Sequence, residues 1–538
     1  MIKILVIGGV AAGTKAAAKL KRELGDGCEI TLLSEGPDIS YAGCGLPYYV
    51  GGLIKEEAEL LINTPDSFAK LTGVRVECGV RAERLDPNRK TVTAICLAAG
   101  ETREYAYDKL VVATGAAPIR PPLPGTDLPG VYTLRSPKDA SAIKEAAKAA
   151  KRAVVCGGGF IGLEIAENLA RLGLKVCVID MAPRIMPGFD PEFAEYAEKY
   201  LFQQGIPVFT GERLAALEGG ERVEKVRTES RTLKADLVVL SLGIRPDTAM
   251  LAAAGAELAP NKTVVVNEYL ETSLPDVYAA GDCVCVKNLL TGQPAWSPMG
   301  SSANLEGRLL AKSIAGRKKA YRGVLGTTIV KLVGLNAGKT GLGEAGARQA
   351  GYEPVSVTIT TDDKAHYYPG AGLFIIKLVA DRMSRRLLGL QALGPGAVDK
   401  LVDVAATAIS LGAEVDRLDS LDLAYAPPFS TAIHPFVTAV QVLENKLDGD
   451  LESLSLSEVR KLSEPTLIDV SKAPALPSLR YLAVPEISGP VEGLPKDQPV
   501  VLVCAKGKQA YLAQNRLRRY GYKNTRVLEG GSTFNEVE

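Results

Sequence analysis

Twice in this chain an apolar strand runs into a cluster of glycines and then into a helix of small residues. No other feature constrains the fold as strongly. The first copy is "IKILVIGGVAAGTKAAAKLKREL", from Ile2, and the second is "RAVVCGGGFIGLEIAENLARLGLKVCVIDMAPR", from Arg152. A strand that ends in glycines and passes into a helix presents backbone N–H groups and a positive helix end, which suits a pyrophosphate. In the second copy Gly157, Gly159 and Gly162 satisfy G-x-G-x-x-G; in the first, Gly8 and Gly13 frame Val10 at the middle position. Either glycine run alone would be as readily an ordinary tight turn. Two of them, each with an acid at the end of the following strand, are not: Glu35 closes "EITLLSE" and Asp180 closes "KVCVID", where a carboxylate grips ribose hydroxyls. Asp180 would repel a 2′-phosphate, which favours NADH, while the nearby Arg184 leaves NADPH open.

The rest of the composition bounds this reading. With 538 residues, 46% hydrophobic and 23% charged, the chain is too long for one core, and several domains are expected. Its 63 basic and 62 acidic residues nearly cancel, so no global field draws it to nucleic acid or an anionic membrane; a small ligand is the natural partner. Nine scattered cysteines suit a reducing compartment. The glycine turn argues against reading the first residues as a signal peptide, and no apolar run approaches the roughly 20 residues that span a bilayer. A soluble, cytoplasmic protein is expected.

Between and after the glycine turns stand "YDKLVVATGAAPIRPPLPG", holding Thr114 and Gly115, and "LPDVYAAGDCVCVKN", holding Gly281 and Asp282. These segments resemble those of the two-dinucleotide-domain flavoproteins, the pyridine nucleotide–disulfide oxidoreductases. The resemblance implies FAD on Gly8, Gly9, Val10, Ala11, Gly13, Glu35, Thr114, Gly115, Gly281 and Asp282. It implies NAD(P)H on Gly157, Gly159, Gly162, Glu164 and Asp180. The fold class expected is α/β, with two Rossmann-like domains, an α+β dimerisation domain and a C-terminal α/β rhodanese domain. The boundaries expected are 1–115 and 250–325 for FAD, 116–249 for NAD(P)H, 326–446 for dimerisation, and 447–538 for a linker and rhodanese domain.

The stretch "SYAGCGLPYYVGG" carries one thiol, Cys44, where the glutathione reductase type has C-x-x-x-x-C. It resembles the single-cysteine branch: coenzyme A-disulfide reductases, persulfide and polysulfide reductases, and NADH oxidases and peroxidases. A lone reactive thiol needs a depressed pKa, which a helix N-terminus and nearby cations would supply. Cys28, Cys78, Cys96, Cys156 and Cys177 read as buried and inert. Cys283 and Cys285 form C-x-C, which is not a zinc spacing, and no metal is expected.

Lys15, Lys19 and Arg22 recur at three to four residues and share a helix face. By default such a face is solvated, but by resemblance they match coenzyme A contacts, as do Ser40, Lys70, Asn304 and Arg308. One departure stands beside the thiol, where Gly43 replaces the family's substrate-binding asparagine. "KAHYYPGAGLFIIKLV" and "LDLAYAPPFSTAIHPF" resemble the branch's dimerisation domain. Tyr367 and Tyr425 then match tyrosines that the partner subunit brings to the thiol, with Tyr368 able to exchange roles with Tyr367. His434, in "AIHP", is similar to the acid–base histidine of glutathione reductase-like enzymes, but "YAPPFS" sets it in a branch that generally lacks that histidine.

The C-terminal run "QPVVLVCAKGKQAYLAQNRLRRYGYKNTRVLEGG" resembles a rhodanese domain with Cys504 as nucleophile. Ser471 and Gln509 stand where arginines are usual, and Lys506 and Lys508 are available to replace their charge. Together these readings imply an NADH-dependent flavoprotein, a homodimer, that reduces persulfides, polysulfides or coenzyme A-linked disulfides through Cys44. Cys504 would relay sulfane sulfur, and a polar linker near 445–455 would allow it to move. The alternatives are a coenzyme A-disulfide reductase in thiol homeostasis, an NADH oxidase or peroxidase, and a sulfur-trafficking redox sensor that binds FAD without turnover.

Overall fold

The computed structural model describes residues 1–537. They form two compact units, Met1–Pro187 with Glu198–Val324, and Gly188–Ala197 with Leu325 onward.

The first unit holds two doubly wound halves. In one, a parallel sheet runs in the order Val277–Ala279, Lys109–Val112, Ile2–Ile7, Cys28–Ser34 and Arg75–Cys78. In the other the order is Val208–Thr210, Lys175–Asp180, Arg152–Cys156, Leu237–Leu240 and Val131–Tyr132, again parallel. In the central strands Ile4–Ile7 and Ala153–Cys156 are apolar and buried; helix Ala11–Leu24 and the antiparallel strands Val80–Asp86 and Glu101–Ala106 pack on the first sheet, and helix Phe160–Arg171 packs on the second.

The two glycine turns match atom for atom. Gly8 (φ +107°) and Gly157 (φ +117°) lie in the left-handed region, and a Cβ on either would stand 2.0 Å from the backbone oxygen of the adjacent strand, Ala113 or Ser241. A Cβ on Gly13 or Gly162 would strike the oxygen of Gly8 or Gly157, so helices Ala11–Leu24 and Phe160–Arg171 pack close behind their turns. Only the middle position is free of this crowding. A Cβ on Gly159 meets nothing, and Val10 is accommodated at the matching helix cap. The first motif therefore departs from the full pattern where the fold tolerates it.

The second unit is built on an antiparallel sheet, ordered Thr328–Leu332, Leu335–Gly341, Leu387–Gly394, Leu373–Asp381 and Pro354–Asp362. Helices Val398–Ser410 and Pro435–Asp448 pack on it. A parallel sheet follows, ordered Ser453–Leu454, Thr525–Leu528, Val500–Val503, Thr466–Asp469 and Arg480–Tyr481, with helix Lys508–Arg519 against it.

The segment expected to be a linker is structured. Helix Pro435–Asp448 ends at Gly449 in the left-handed region, and Ser453 already belongs to the next sheet. The buried Glu529 accepts from Lys446 Nζ (2.5 Å), Ser453 Oγ (2.7 Å) and the Thr358 N–H (2.9 Å). Thr360 Oγ1 donates to the Gly530 carbonyl (2.7 Å). Residues 445–455 are therefore not a tether, because a buried carboxylate with three donors fastens the C-terminal domain to the antiparallel sheet.

Candidate active site

The loop carrying Cys44 is laid over the first glycine turn. Ser40 has φ +52°, and its N–H donates to the Gly9 carbonyl at 2.7 Å. Ala42 and Ile62 then exchange backbone bonds with Leu60 and Ser40, and Gly43–Gly45 forms a single 3₁₀ turn leading into helix Leu46–Val50. The two glycines beside the thiol serve different ends. A Cβ on Gly45 would press on Leu60 and Ile54, so that glycine is needed for packing; a Cβ on Gly43 meets nothing within 4 Å. Cys44 itself is exposed.

The short helix after the thiol packs on the helix of the second glycine turn. A Cβ on Gly51 would stand 2.0 Å from Asn168 Oδ1, and Tyr48 donates its hydroxyl to Glu164 Oε1 at 2.9 Å. This contact corrects the expected electrostatics of the thiol. Although the residue is exposed as a whole, the protein packed around its sulfur strips hydration and so raises the Cys44 pKa, and Glu164 and Asp282 raise it further, with Arg135 opposing. The neighbouring charges contributed by the polypeptide are mostly acidic, so the protein does not by itself make Cys44 a ready thiolate. Burial also lifts Glu164, partly offset by its bond to Tyr48; burial lifts Tyr48 as well, and there the charge and hydrogen bond of Glu164 add to the rise.

The segments around the first turn converge as a cofactor cradle would require. Asp282 lies 3.6 Å from Arg135 and is largely buried, which raises its carboxyl. Behind it Glu306, 1% exposed, accepts the Gly281 N–H at 2.7 Å and is pushed up by burial to about 8. Arg135, Tyr48 and Glu306 were not singled out from the sequence; the spacing of Glu306 from Asn304 and Arg308 on helix Gly300–Ile314 was the one local sign. Thr114 Oγ1 donates to the Asp247 carbonyl at 2.5 Å, and Gly115 is left-handed at φ +73°. Glu35 is exposed, 3.6 Å from Arg81. Around the second turn Asp180 accepts from the N–H groups of Gly158 (2.6 Å) and Ala182 (2.8 Å), and Arg184 pairs with Glu198 at 3.1 Å.

The basic residues assemble as well. Gly307 lets helix Gly300–Ile314 lie directly on helix Ala11–Leu24, since a Cβ there would stand 2.4 Å from the Ala12 oxygen and 3.2 Å from the Lys15 Cβ. This sets Arg308 beside Lys19. The Lys19 ammonium is held below its ordinary value by burial first, then by the charges of Arg308, Arg22 and Arg317, although it also pairs with Glu23 at 2.5 Å. Asn304 donates to the Gly300 carbonyl, Ser40 Oγ accepts from Asn63, and Lys70 is exposed on helix Pro65–Thr72.

In the second unit Tyr367 and Tyr425 are exposed and share a side-chain hydrogen bond. Tyr368, Phe429 and Ile433 are exposed too. His434 is 8% exposed, and its Nδ1 caps helix Pro435–Asp448 by accepting the Phe436 N–H at 3.2 Å. Burial and Lys400 push its pKa down to about 4, so it stays neutral. Cys283 and Cys285 are buried, and burial lifts the Cys283 thiol to about 11, which fits packing better than redox work. Cys504 Sγ accepts the Gly507 N–H at 3.2 Å at the start of helix Lys508–Arg519, and Lys506 pairs with Asp362 at 2.8 Å. Among the described residues no helix is long and apolar enough to cross a membrane, and no three His, Cys, Asp or Glu side chains group as a metal site.

Two Rossmann-like halves, a lone exposed thiol on a loop bonded to the first glycine turn and followed by a helix that packs on the second half, and a further antiparallel domain define a dinucleotide-dependent disulfide-type oxidoreductase. The chain belongs to the pyridine nucleotide-disulphide oxidoreductases: residues 2–302 match that family, 327–436 its dimerisation domain, and 460–533 the rhodanese-like domain. It is 36% identical over 445 residues to the CoA-dependent NAD(P)H sulfur oxidoreductase of Pyrococcus furiosus, covering 82% of this chain and 99% of that one. It is 34% identical to the NAD(P)H coenzyme A polysulfide/persulfide reductase of Pyrococcus horikoshii, with 82% and 98% covered. Among solved structures, the NAD-dependent persulfide reductase from A. fulgidus is 36% identical, with a TM-score of 0.94 over 99% of this chain and all of that one. Reduced CoADR-RHD of Bacillus anthracis is 33% identical, with a TM-score of 0.93 over 99% and 97%. The protein is therefore an NAD(P)H-using oxidoreductase with a fused rhodanese-like domain.

Proposed function

We propose that this protein is an NADH-dependent, FAD-containing homodimeric reductase that takes sulfane sulfur and disulfides, coenzyme A-linked ones among them, through Cys44. The observation that carries this reading is an exposed thiol with no partner cysteine, set on the first glycine turn and bonded through its helix to the second. The second sulfur must then come from the substrate.

Gly8, Gly13, Thr114, Gly115, Gly281 and Asp282 are the residues that would hold FAD, with Glu35 on its ribose. The crowding at Gly8 and Gly13 leaves bare backbone facing the turn, which fits a pyrophosphate. Gly157, Gly159, Gly162 and Asp180 would hold NADH; the pairing of Arg184 with Glu198 removes the cation that a 2′-phosphate would need. FAD, when bound, supplies the two-electron relay between nicotinamide and the Cys44 sulfur.

Cys44 acts as nucleophile. Its thiolate attacks the outer sulfur of a persulfide or one sulfur of a disulfide, a bond to Cys44 forms, the old S–S bond breaks, and a thiolate leaves with the electron pair. Burial first, then Glu164 and Asp282, favour the protonated Cys44 thiol, so a substrate that brings its own positive or hydrogen-bonding groups would ease ionisation. Lys15, Lys19, Arg22 and Arg308, with Ser40, Lys70 and Asn304, would bind the coenzyme A phosphates. The partner subunit's Tyr367 and Tyr425 would protonate the departing thiolate, a role supported by their exposure and mutual hydrogen bond. Cys504 would accept or donate sulfane sulfur. The free cysteines suit a cytoplasmic setting.

The test is sulfide release with NADH and a persulfide donor by wild type, Cys44→Ser and Cys504→Ser. Cys44→Ser is expected to abolish release; full release by that variant overturns the mechanism.

A further inference from the structure

The Cys504 loop carries two cations, Lys506 and Lys508, in the places where a sulfur-transfer loop needs positive charge to receive an anionic donor. They are not equivalent. Lys506 Nζ lies 2.8 Å from Asp362 Oδ1, the last residue of the edge strand Pro354–Asp362 in the neighbouring antiparallel sheet. That strand is fixed to the same domain nearby, because the Gly530 N–H donates to the Thr358 carbonyl (2.8 Å) and Thr358 and Thr360 donate to Glu529 and Gly530. Asp362 is therefore held where it meets Lys506. The next residues offer no surplus charge, since Lys364 lies 3.6 Å from Asp363. Lys508 is exposed, and no ion pair to it occurs among the described residues. The loop thus faces its donor with one uncommitted cation, and Gln509 adds none.

We propose that Asp362, a residue outside the C-terminal domain, sets the donor class of Cys504 by neutralising Lys506: singly charged alkyl persulfides are accepted and dianionic thiosulfate is disfavoured. This rests on the reading that Cys504 is the sulfur acceptor. With an alkyl persulfide, the Cys504 thiolate attacks the terminal sulfur, the carbon-bound sulfur leaves as a thiolate with the electron pair, and Cys504 persulfide remains. With thiosulfate the same attack expels sulfite, which carries two negative charges through a loop that has one free positive charge. Cyanide takes the sulfur from Cys504 as thiocyanate and restores the thiolate. Asp362 is a positioning residue, acting only through Lys506.

The experiment follows thiocyanate formation by the full-length holoenzyme with ethyl persulfide, whose only charge is on the persulfide, and with thiosulfate, at low and high salt. Wild type is expected to use persulfide at least about tenfold better by kcat/KM. Asp362→Asn is expected to raise kcat/KM for thiosulfate about fivefold at low salt, to move that for persulfide less than about twofold, and to lose the gain at high salt. The gain must also vanish in the double variant Asp362→Asn/Lys506→Gln. Equal use of the two donors by wild type overturns the proposal even if Asp362→Asn does not fold. So does a gain that survives in the double variant. Failure of the underlying reading looks different: Cys504→Ser would keep full thiocyanate formation from both donors.

Discussion

Replacing Lys377 with methionine tests how the second unit is held together. The Lys377 side chain is 5% exposed, and its Nζ lies 2.6 Å from Asp190, 2.7 Å from Glu192 and 2.9 Å from Glu344. Glu344 also accepts from Ser356 Oγ at 2.7 Å and Arg348 at 2.8 Å. Three carboxylates around one ammonium raise the lysine, and although burial works against it, Glu344 is held down at about 2. Methionine keeps most of the aliphatic volume and removes the charge, so the loss is electrostatic. Removing one partner of a buried ion pair costs about 3–5 kcal/mol. The displacement of Glu344 from 4.5 to about 2 corresponds to about 3 kcal/mol, of which Lys377 supplies the largest favourable part and Ser356 and Arg348 the rest. For a unit of this size the melting midpoint should fall by about 10 °C. Because the folded pKa of Glu344 lies below its unfolded value, its stabilisation is complete above about pH 4.5 and is lost as pH falls toward 2. The gap between wild type and Lys377→Met should therefore be widest at neutral pH and narrow in acid. Circular dichroism melts across that range measure it. A neutral-pH drop below about 2 °C, or a gap that widens on acidification, would refute the reasoning.

Three further outcomes follow from the site. Gly43→Asn places its Cβ in open space at a backbone conformation that L residues adopt, so it should fold normally. It should lower KM for coenzyme A disulfide about fivefold, the worth of roughly one hydrogen bond, and leave KM for inorganic polysulfide unchanged; equal effects on both would sink the idea. Glu164→Gln keeps the acceptor for Tyr48 but removes the first of the two acids that raise the thiol, so the Cys44 pKa should fall. The pH profile of iodoacetamide alkylation reports that value, and a pKa that stays or rises contradicts it. His434→Asn retains a good helix cap and should keep sulfide release within about threefold; a loss of about hundredfold would restore an acid–base role for the histidine.

The glycine turns were legible because their constraint is local. Gly8 and Gly157 must take positive φ, and Gly13 and Gly162 must lie against them only five residues away, so residue type and spacing carry the whole requirement. The carboxylates that end the next strands follow from the same βαβ period. The Cys44 stretch was legible as a motif but not as an environment. Its expected cations proved to be mainly acids, because Glu164 lies on the other Rossmann-like half, 116 residues from the tyrosine it holds. Polar composition at 445–455 suggested freedom, whereas Glu529, far along the chain, locks that segment by burial and three donors.

What the sequence by itself determined is the chemistry available: two dinucleotide turns, a lone nucleophilic sulfur, and a second thiol in a loop before a helix. Only the tertiary structure decided the charge each sulfur meets. Lost hydration and then two acids raise Cys44, and Asp362, 144 residues from Lys506, leaves the Cys504 loop with one free cation. The physical reason is that backbone turns are fixed by neighbours in sequence, whereas electrostatic surroundings are fixed by neighbours in space.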